Sequence, residues 1–306
     1  VHQDLMLQVK QEKPDLAVLI DYPGFNLRIA RSLKKEGIPV VYYISPKFWA
    51  WGSFRVKKVQ KYVDKMLVLF PFEVEFYKHF GIEAVYVGNP LVDQHQKHLP
   101  DKEKSFDPQN AVLGILPGSR KQEVASLMER MLQTARRLHR AGKIKSAEIL
   151  KVANLPLQLY QDFLTEEDTF VHIAEKPMFK ALPNYDAAIV ASGTATLEAG
   201  YFGVPMLIVY HVNKLTYWLG RMVIKIDKVG LVNIVAEKFV AEEFLQDDFS
   251  VNAAEQEMLR LLNPEEHKVV KSDLKEIREK LGAPGASQRA ADEIVKFVEN
   301  NRIVFL

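Results

Sequence analysis

Chemistry on this chain starts from the stretch Asp186-Ala-Ala-Ile-Val-Ala-Ser-Gly-Thr-Ala-Thr-Leu-Glu198. Its pattern predicts a buried strand over 187–191, a polar turn at Ser192, Gly193 and Thr194, and a helix opening at Ala195. The first turn of such a helix offers unpaired N–H groups that favour an anion, and Gly193 lets a ligand come close to the backbone. Glu198 follows Thr194 by about one helical turn and so shares its face. Diphosphate on the amides and sugar hydroxyls on Glu198 would make this a nucleotide site. Short patterns of this kind also arise by chance, and an ordinary turn capped by Thr194 with Glu198 in solvent accounts for the stretch taken alone.

Other residues carry the same double reading. Pro117-Gly118-Ser119-Arg120 is a second strand-to-helix turn, in which Arg120 can hold a diphosphate through both arms of its guanidinium or stand on the surface beside a helix cap. Ser119 with Gln122 three residues on has the form of a capping box. Two glycine turns in one half of the chain favour the nucleotide reading, because each helix N-terminus adds to one anion site. Asp21 stands at the end of an apolar run and can act as general base toward a hydroxyl, or close an Asx turn before Pro23. Asn26 is open to the same two readings. Trp49 and Trp51 lie in an aromatic loop that can wall a sugar or an acyl chain, or simply pack in the core.

The elements that must position these residues alternate. Strands are predicted over 16–20, 40–44, 65–69 and 84–87, then over 111–116, 146–153, 170–174, 187–191 and 206–210, with helical spacing between them. That alternation predicts an α/β chain with parallel, doubly wound sheets and ligands at the strand C-termini. The polar run 93–110 reads as a linker, a helix is expected over 215–224, and the chain closes in helices around 252–262, 265–281 and 286–298. Two Rossmann-like domains are expected, with a cleft between them as the ligand site.

Composition removes several classes. With no cysteine among 306 residues there is no disulfide, thiolate metal site or cysteine nucleophile, which agrees with a reducing compartment. A formal charge of +2 gives no argument for a nucleic-acid partner. No apolar run approaches the ~20 residues that span a bilayer, and no signal peptide is expected from the residues read. His79, His95 and His98 are isolated and lack metal-ligand spacing, and no cofactor is expected. Neither a Gly-x-Ser-x-Gly elbow nor a P-loop is present, which argues against a serine hydrolase and a P-loop ATPase. The basic segment with Arg55, Lys57, Lys58, Lys61 and Lys65 fits either an anionic lipid surface or a solvated helix face.

Taken together, Asp21-Tyr-Pro-Gly-Phe-Asn26, Tyr43-Ile-Ser-Pro-Lys-Phe-Trp-Ala-Trp51, Leu69-Phe-Pro-Phe-Glu73, Val87-Gly-Asn-Pro-Leu91, Leu116-Pro-Gly-Ser-Arg120 and Ala191-Ser-Gly-Thr-Ala-Thr-Leu-Glu198 resemble the lipid-A-disaccharide synthases. The resemblance runs from about Pro14 to the C-terminus, in order and with matching spacing. It implies an inverting glycosyltransferase of the two-Rossmann-domain (GT-B) type. Such an enzyme joins UDP-2,3-diacylglucosamine to 2,3-diacylglucosamine 1-phosphate, giving a β-1,6-linked disaccharide and UDP without a metal. It further implies an acceptor-side domain over 1–103, a donor-nucleotide domain over 104–284, and a last helix over 285–306 that returns to the first domain. Arg120, with Gly118 and Ser119, would lie on the donor diphosphate. Ser192, Gly193, Thr194 and Thr196 would lie near the phosphates, Glu198 on the ribose, and Asn233 at the donor cleft. Asp21 would activate the acceptor hydroxyl, with Asn26, Trp49 and Trp51 on the acceptor side.

The family's opening strand and its Gly-Glu-x-Ser-Gly-Asp loop have no counterpart here, so the first domain and the acceptor side are expected to be N-terminally incomplete. Asn89 stands where many relatives carry His and is given no acid–base role. The partners implied are a UDP-sugar donor, an acylated sugar phosphate acceptor and the inner-membrane surface. The implied location is cytoplasmic, peripheral at the inner membrane of a Gram-negative bacterium, and homodimerisation is a further family property. Two rivals stand beside this reading. One is a UDP-sugar epimerase on the same scaffold, which would not be expected to share the Trp-Ala-Trp loop. The other is a non-catalytic UDP-binding fragment.

Overall fold

Four short apolar runs, Ala17–Ile20 (β1), Val40–Tyr43 (β2), Lys65–Val68 (β3) and Ala84–Tyr86 (β4), pair in parallel and in that order to form the first sheet. This is seen in a computed structural model that describes residues 1–49, 53–102, 104–210, 228–245 and 248–302. Trp51 and the helix expected over 215–224 lie outside the described residues. Helices Pro23–Lys35, Val56–Tyr62 and Pro71–His79 connect the strands. Alternate strand residues face opposite sides, as a pleated strand requires. Tyr42, Met66 and Val68 pack with Leu27, Val56, Val59 and Tyr77 on one face. Val41, Leu67 and Val87 pack on the other against Ala290 of the last helix, Ala286–Arg302.

That helix is anchored where it starts. The Asp93 carboxylate accepts the backbone N–H groups of Gly285, Ala286 (3.2 Å) and Ser287 (3.0 Å), which caps the N-terminus and places a negative charge at its positive end. Arg289 donates to Val87 O at 2.8 Å, and Lys65 pairs with Glu293 at 2.6 Å. The first compact unit thus comprises residues 1–94 and 281–302, and the second comprises the described residues of 95–280.

Boundaries move from their expected positions for identifiable reasons. The helical spacing between the first two strands resolves into a helix that opens as early as Pro23 and runs to Lys35, because proline fits the first helical turn, where its missing N–H would have had no partner. The start of the polar run read as a linker is instead covered by a short helix, Pro90–His95, followed by a 3₁₀ turn over Gln96–His98.

The second unit holds six parallel strands: Val112–Leu116 (β5), Ser146–Leu150 (β6), Val171–Ala174 (β7), Ala187–Ala191 (β8), Met206–Tyr210 (β9) and Glu242–Leu245 (β10). Their spatial order is β10-β9-β8-β5-β6-β7. The chain builds outward from β5 on one side and then returns to build outward on the other. The winding therefore reverses between β5 and β8. In open α/β sheets ligands bind beyond the strand C-termini at such a reversal. β10 was not expected. It opens with Glu242 and Glu243, residues poor in strand propensity, and is an edge strand whose strand partner among the described residues is β9.

Candidate functional site

Both glycine turns leave the sheet at the reversal. Leu116 is in register with Val190, so Pro117 and Ala191 come off adjacent strands, which lie about 4.8 Å apart. The strand 187–191 is as expected, and the helix after it opens one residue early, at Thr194. Gly193, its N-cap, has φ 157° and ψ −160°, a region essentially reserved for glycine. No described residue lies within 4 Å of the position a Cβ would take there, so among the described residues the space over this backbone is open. No side chain caps the helix, and Gly193 and Thr194 are exposed. The first N–H groups of the helix are thus left for an anion.

The neighbouring turn is closed by its own carboxylate. Glu123 reaches back to accept the backbone N–H groups of Ser119 (2.9 Å) and Arg120 (3.2 Å). The cap is therefore Arg120 with Glu123, not the Ser119 and Gln122 pair expected, because the helix begins at Lys121. Gly118 has φ +103°, and a Cβ there would run into the Glu123 carboxylate. The Arg120 side chain is 80% exposed and pairs with Glu123 at 3.0 Å. Exposed pairs of this kind contribute little, so the guanidinium can exchange Glu123 for a bound diphosphate at small cost.

Two of the expected site residues lie inside the fold. Thr196 is fully buried and its hydroxyl donates to Gly193 O at 2.8 Å, which shapes the turn from beneath. Asn233 is also fully buried. Its amide donates to Ala241 O (2.7 Å) and Glu243 Oε1 (2.6 Å), and its carbonyl accepts from Val240 N (2.9 Å) and Ala241 N (3.0 Å). Glu243 in turn accepts the N–H groups of Val229 and Gly230. Asn233 thus ties helix Leu231–Ala236 to β10 with all its hydrogen-bonding capacity used. Replacing it by Ala strands these partners in the interior. Asn233→Ala is expected to lower the unfolding free energy by about 2–3 kcal/mol, measured by urea denaturation; a loss below about 0.5 kcal/mol would contradict the arrangement.

Glu198 lies one turn into the helix from Thr194, as expected, with its side chain 19% exposed. Its Oε2 is 3.2 Å from Nε2 of His95, a residue that sequence reasoning had set aside. Burial pushes the Glu198 carboxyl above its ordinary range, and burial with the nearby His98 pushes the His95 ring below its own. Ser192 is half-buried beside the open turn, its N–H held by Val209 O at 2.9 Å.

In the first unit, Asp21 follows β1 with φ 46°, and Tyr22 with φ 43°. Ile44 stands beyond the neighbouring β2 with φ 64°. Left-handed backbone costs a non-glycine residue about 1–2 kcal/mol, and for a β-branched residue it is an outlier. Strain of this kind gathers at functional sites, and here three such residues sit at the C-terminal ends of adjacent strands. The Asp21 backbone is pinned on both sides. Its N–H donates to Tyr43 O (3.0 Å), and its carbonyl accepts from Asn26 Nδ2 (2.7 Å) and the Tyr42 hydroxyl (2.5 Å). Asn26 also donates to Ile20 O at 2.9 Å. Asn26 therefore fixes the turn, and the exposed Asp21 side chain is carried on it.

Trp49 has a partner that the sequence did not mark. Its Nε1 donates to Glu73 Oε1 at 3.2 Å, and its ring meets Phe72 edge-on at 5.2 Å. Glu73 is 2% exposed, and it also accepts from the Ser45 hydroxyl and from Leu69 N and Phe70 N (3.0 Å each). Burial raises its carboxyl above the ordinary range while these donors oppose the shift. The signal available is Pro71 at the first helical turn with Glu73 at the third position, the pattern of a helix start.

A family model described as "Lipid-A-disaccharide synthetase" matches residues 1–297. The lipid-A-disaccharide synthase of Syntrophus aciditrophicus (strain SB) is 42% identical over 287 residues, covering 91% of this chain and 74% of the relative. That of Geobacter metallireducens is 37% identical over 303 residues, covering 94% and 77%. Among solved structures, UDP-GlcNAc 2-epimerase from Neisseria meningitidis bound to UDP-GlcNAc superposes with TM-score 0.65 at 13% identity, covering 96% of this chain and 80% of that one. MurG of Acinetobacter baumannii superposes with TM-score 0.60 at 18% identity, covering 96% and 77%. At these identities the structures share a fold, and the arrangement of two parallel α/β sheets is that of the GT-B glycosyltransferases.

Proposed function

This chain belongs to the lipid-A-disaccharide synthase family, glycosyltransferases of lipid A synthesis, and from that premise we propose how its residues divide the reaction. The donor is UDP-2,3-diacylglucosamine and the acceptor is 2,3-diacylglucosamine 1-phosphate. The acceptor 6-hydroxyl attacks the anomeric carbon of the donor as the bond from that carbon to the UDP oxygen breaks. UDP leaves with the electron pair, the proton passes to the Asp21 carboxylate, and the new β-1,6 linkage is formed with inversion. Charge developing on the departing diphosphate meets the free N–H groups at Gly193 and Thr194 and the guanidinium of Arg120. Glu198 takes the ribose hydroxyls, Ser192 and Gly118 with Ser119 line the phosphates, and Thr196 and Asn233 hold the donor unit in shape from within. Asn26 and Trp49 stand on the acceptor side with Asp21.

The observation that carries this reading is the pair of glycine turns at the β5/β8 reversal, one of them uncapped and open above its backbone. The epimerase neighbours support the fold alone, since their identity to this chain is low. We place the enzyme peripherally at the cytoplasmic face of the inner membrane, because both substrates are acylated. Phe54, 74% exposed beside the exposed Lys57, Lys58 and Lys61, supports contact with anionic lipid. No helix among the described residues is long and apolar enough to cross a membrane.

The test is to supply both acylated sugars and follow products by mass spectrometry. Disaccharide and UDP in equal amounts are expected. Turnover of UDP-GlcNAc without acceptor would favour an epimerase, and UDP binding without disaccharide a non-catalytic fragment.

A further inference from the structure

His95 is 2% exposed and ends the helix Pro90–His95. Its ring is held by aromatic neighbours: Phe202 lies edge-on at 5.5 Å and Phe179 at 6.3 Å, and Phe179 is itself stacked on His98 at 3.8 Å. One ring nitrogen, Nε2, meets Glu198 Oε2 at 3.2 Å. The other, Nδ1, is buried with no hydrogen-bond partner among the described residues.

These contacts decide the tautomer. A charged ring would bury an Nδ1–H donor with no acceptor, and so would the neutral form with its proton on Nδ1; both are costly. The neutral form with its proton on Nε2 leaves only a lone pair unsatisfied and gives Glu198 a donor. Burial, which lowers the His95 pKa, acts in the same direction. Thr194, Glu198 and Phe202 follow one another at helical spacing, so one face of the helix runs from the open turn, through the carboxylate, to the contact with His95. His95 is the one side chain recorded as a partner of Glu198 among the described residues. It engages one carboxylate oxygen of a side chain that stays 19% exposed.

We propose that His95 is a positioning residue for nucleotide recognition: it holds the Glu198 carboxylate in the orientation that receives the ribose hydroxyls of the donor. This rests on the assignment of Glu198 to the ribose. A histidine that merely filled space would not affect discrimination at the ribose, which provides the test.

Calorimetry of UDP against 2′-deoxy-UDP, on the whole chain, reads the contact. Wild-type protein is expected to prefer UDP by about tenfold or more, the range for a hydrogen bond to a charged group. His95→Leu is expected to reduce that preference to about twofold or less, while His95→Gln, whose amide can stand in for Nε2–H, retains most of it. Should the Leu variant fail to fold, His95→Asn serves in its place, since its amide falls short of Glu198 and the preference is expected to be lost. Glu198→Ala, which removes the acceptor altogether, separates the two claims. If it leaves the preference intact, Glu198 is not on the ribose and the reading beneath this proposal fails. If Glu198→Ala abolishes the preference but His95→Leu or His95→Asn keeps it, the proposal alone is overturned. Nitrogen-15 spectra of the histidines give an independent check. The proton of His95 is expected on Nε2, and a proton on Nδ1 would overturn the proposal.

Discussion

Asp21→Asn is expected to cut disaccharide formation by about 10²–10⁴ while leaving UDP affinity unchanged, the size of effect attached to loss of a general base. The substitution is nearly isosteric and keeps the turn. The bonds that pin residue 21 run through its backbone to Tyr43, Asn26 and Tyr42, and Asn tolerates left-handed backbone as well as Asp does. What is lost is the carboxylate's ability to take a proton from the acceptor hydroxyl. Because the residues proposed for the donor belong to the other unit, UDP binding provides an internal control. Turnover within about threefold of wild type would remove Asp21 as the base, since base catalysis contributes far more than that. A matching fall in UDP affinity would point to misfolding instead.

Arg120→Ala carries the second large effect. It is expected to weaken UDP binding by about 1.5–3 kcal/mol, the worth of a hydrogen bond to a charged partner, or roughly 10- to 150-fold by calorimetry. The fold tolerates the change: the side chain is 80% exposed, and Glu123 keeps its backbone bonds to Ser119 and Arg120 whatever the residue. Arg120→Lys is expected to recover only part of the affinity, because an ammonium lacks the planar fork that meets a diphosphate through two bonds. Unchanged affinity in Arg120→Ala would mean that the guanidinium stays with Glu123 and never reaches the nucleotide.

How much of this was legible in the sequence depended on whether the deciding interaction was local. Strand 187–191 was read to the residue because five small apolar side chains bounded by polar ones have few alternatives in a doubly wound sheet. The two glycine turns were legible for the same reason. Their adjacency was not, since it depends on the strand order, which places β5 beside β8. Capping at Lys121 was displaced by one residue because Ser119 and Gln122 have the side chains of a capping box, whereas the carboxylate that closes the turn is Glu123. Strand β10 was hidden by its two leading glutamates, yet Glu243 is what holds Val229, Gly230 and Asn233 together. Asn233 and Thr196 carry polar side chains of a kind found at sites, and only the fold reveals that their bonds are spent inside it. His95 and Glu198 are far apart in the chain, as are Trp49 and Glu73 from each other. Pairs of this sort leave no local trace.

The central claim is that UDP sits on the uncapped helix start at the β5/β8 reversal. It is tested most directly by titrating UDP into protein labelled with nitrogen-15 at glycine and threonine and following the amide resonances. Gly193 and Thr194 are expected to shift most, with Gly118 moving along the same saturation curve. If UDP binds by calorimetry while those three amides stay still, the nucleotide lies elsewhere and the helix start at Gly193 is not its site.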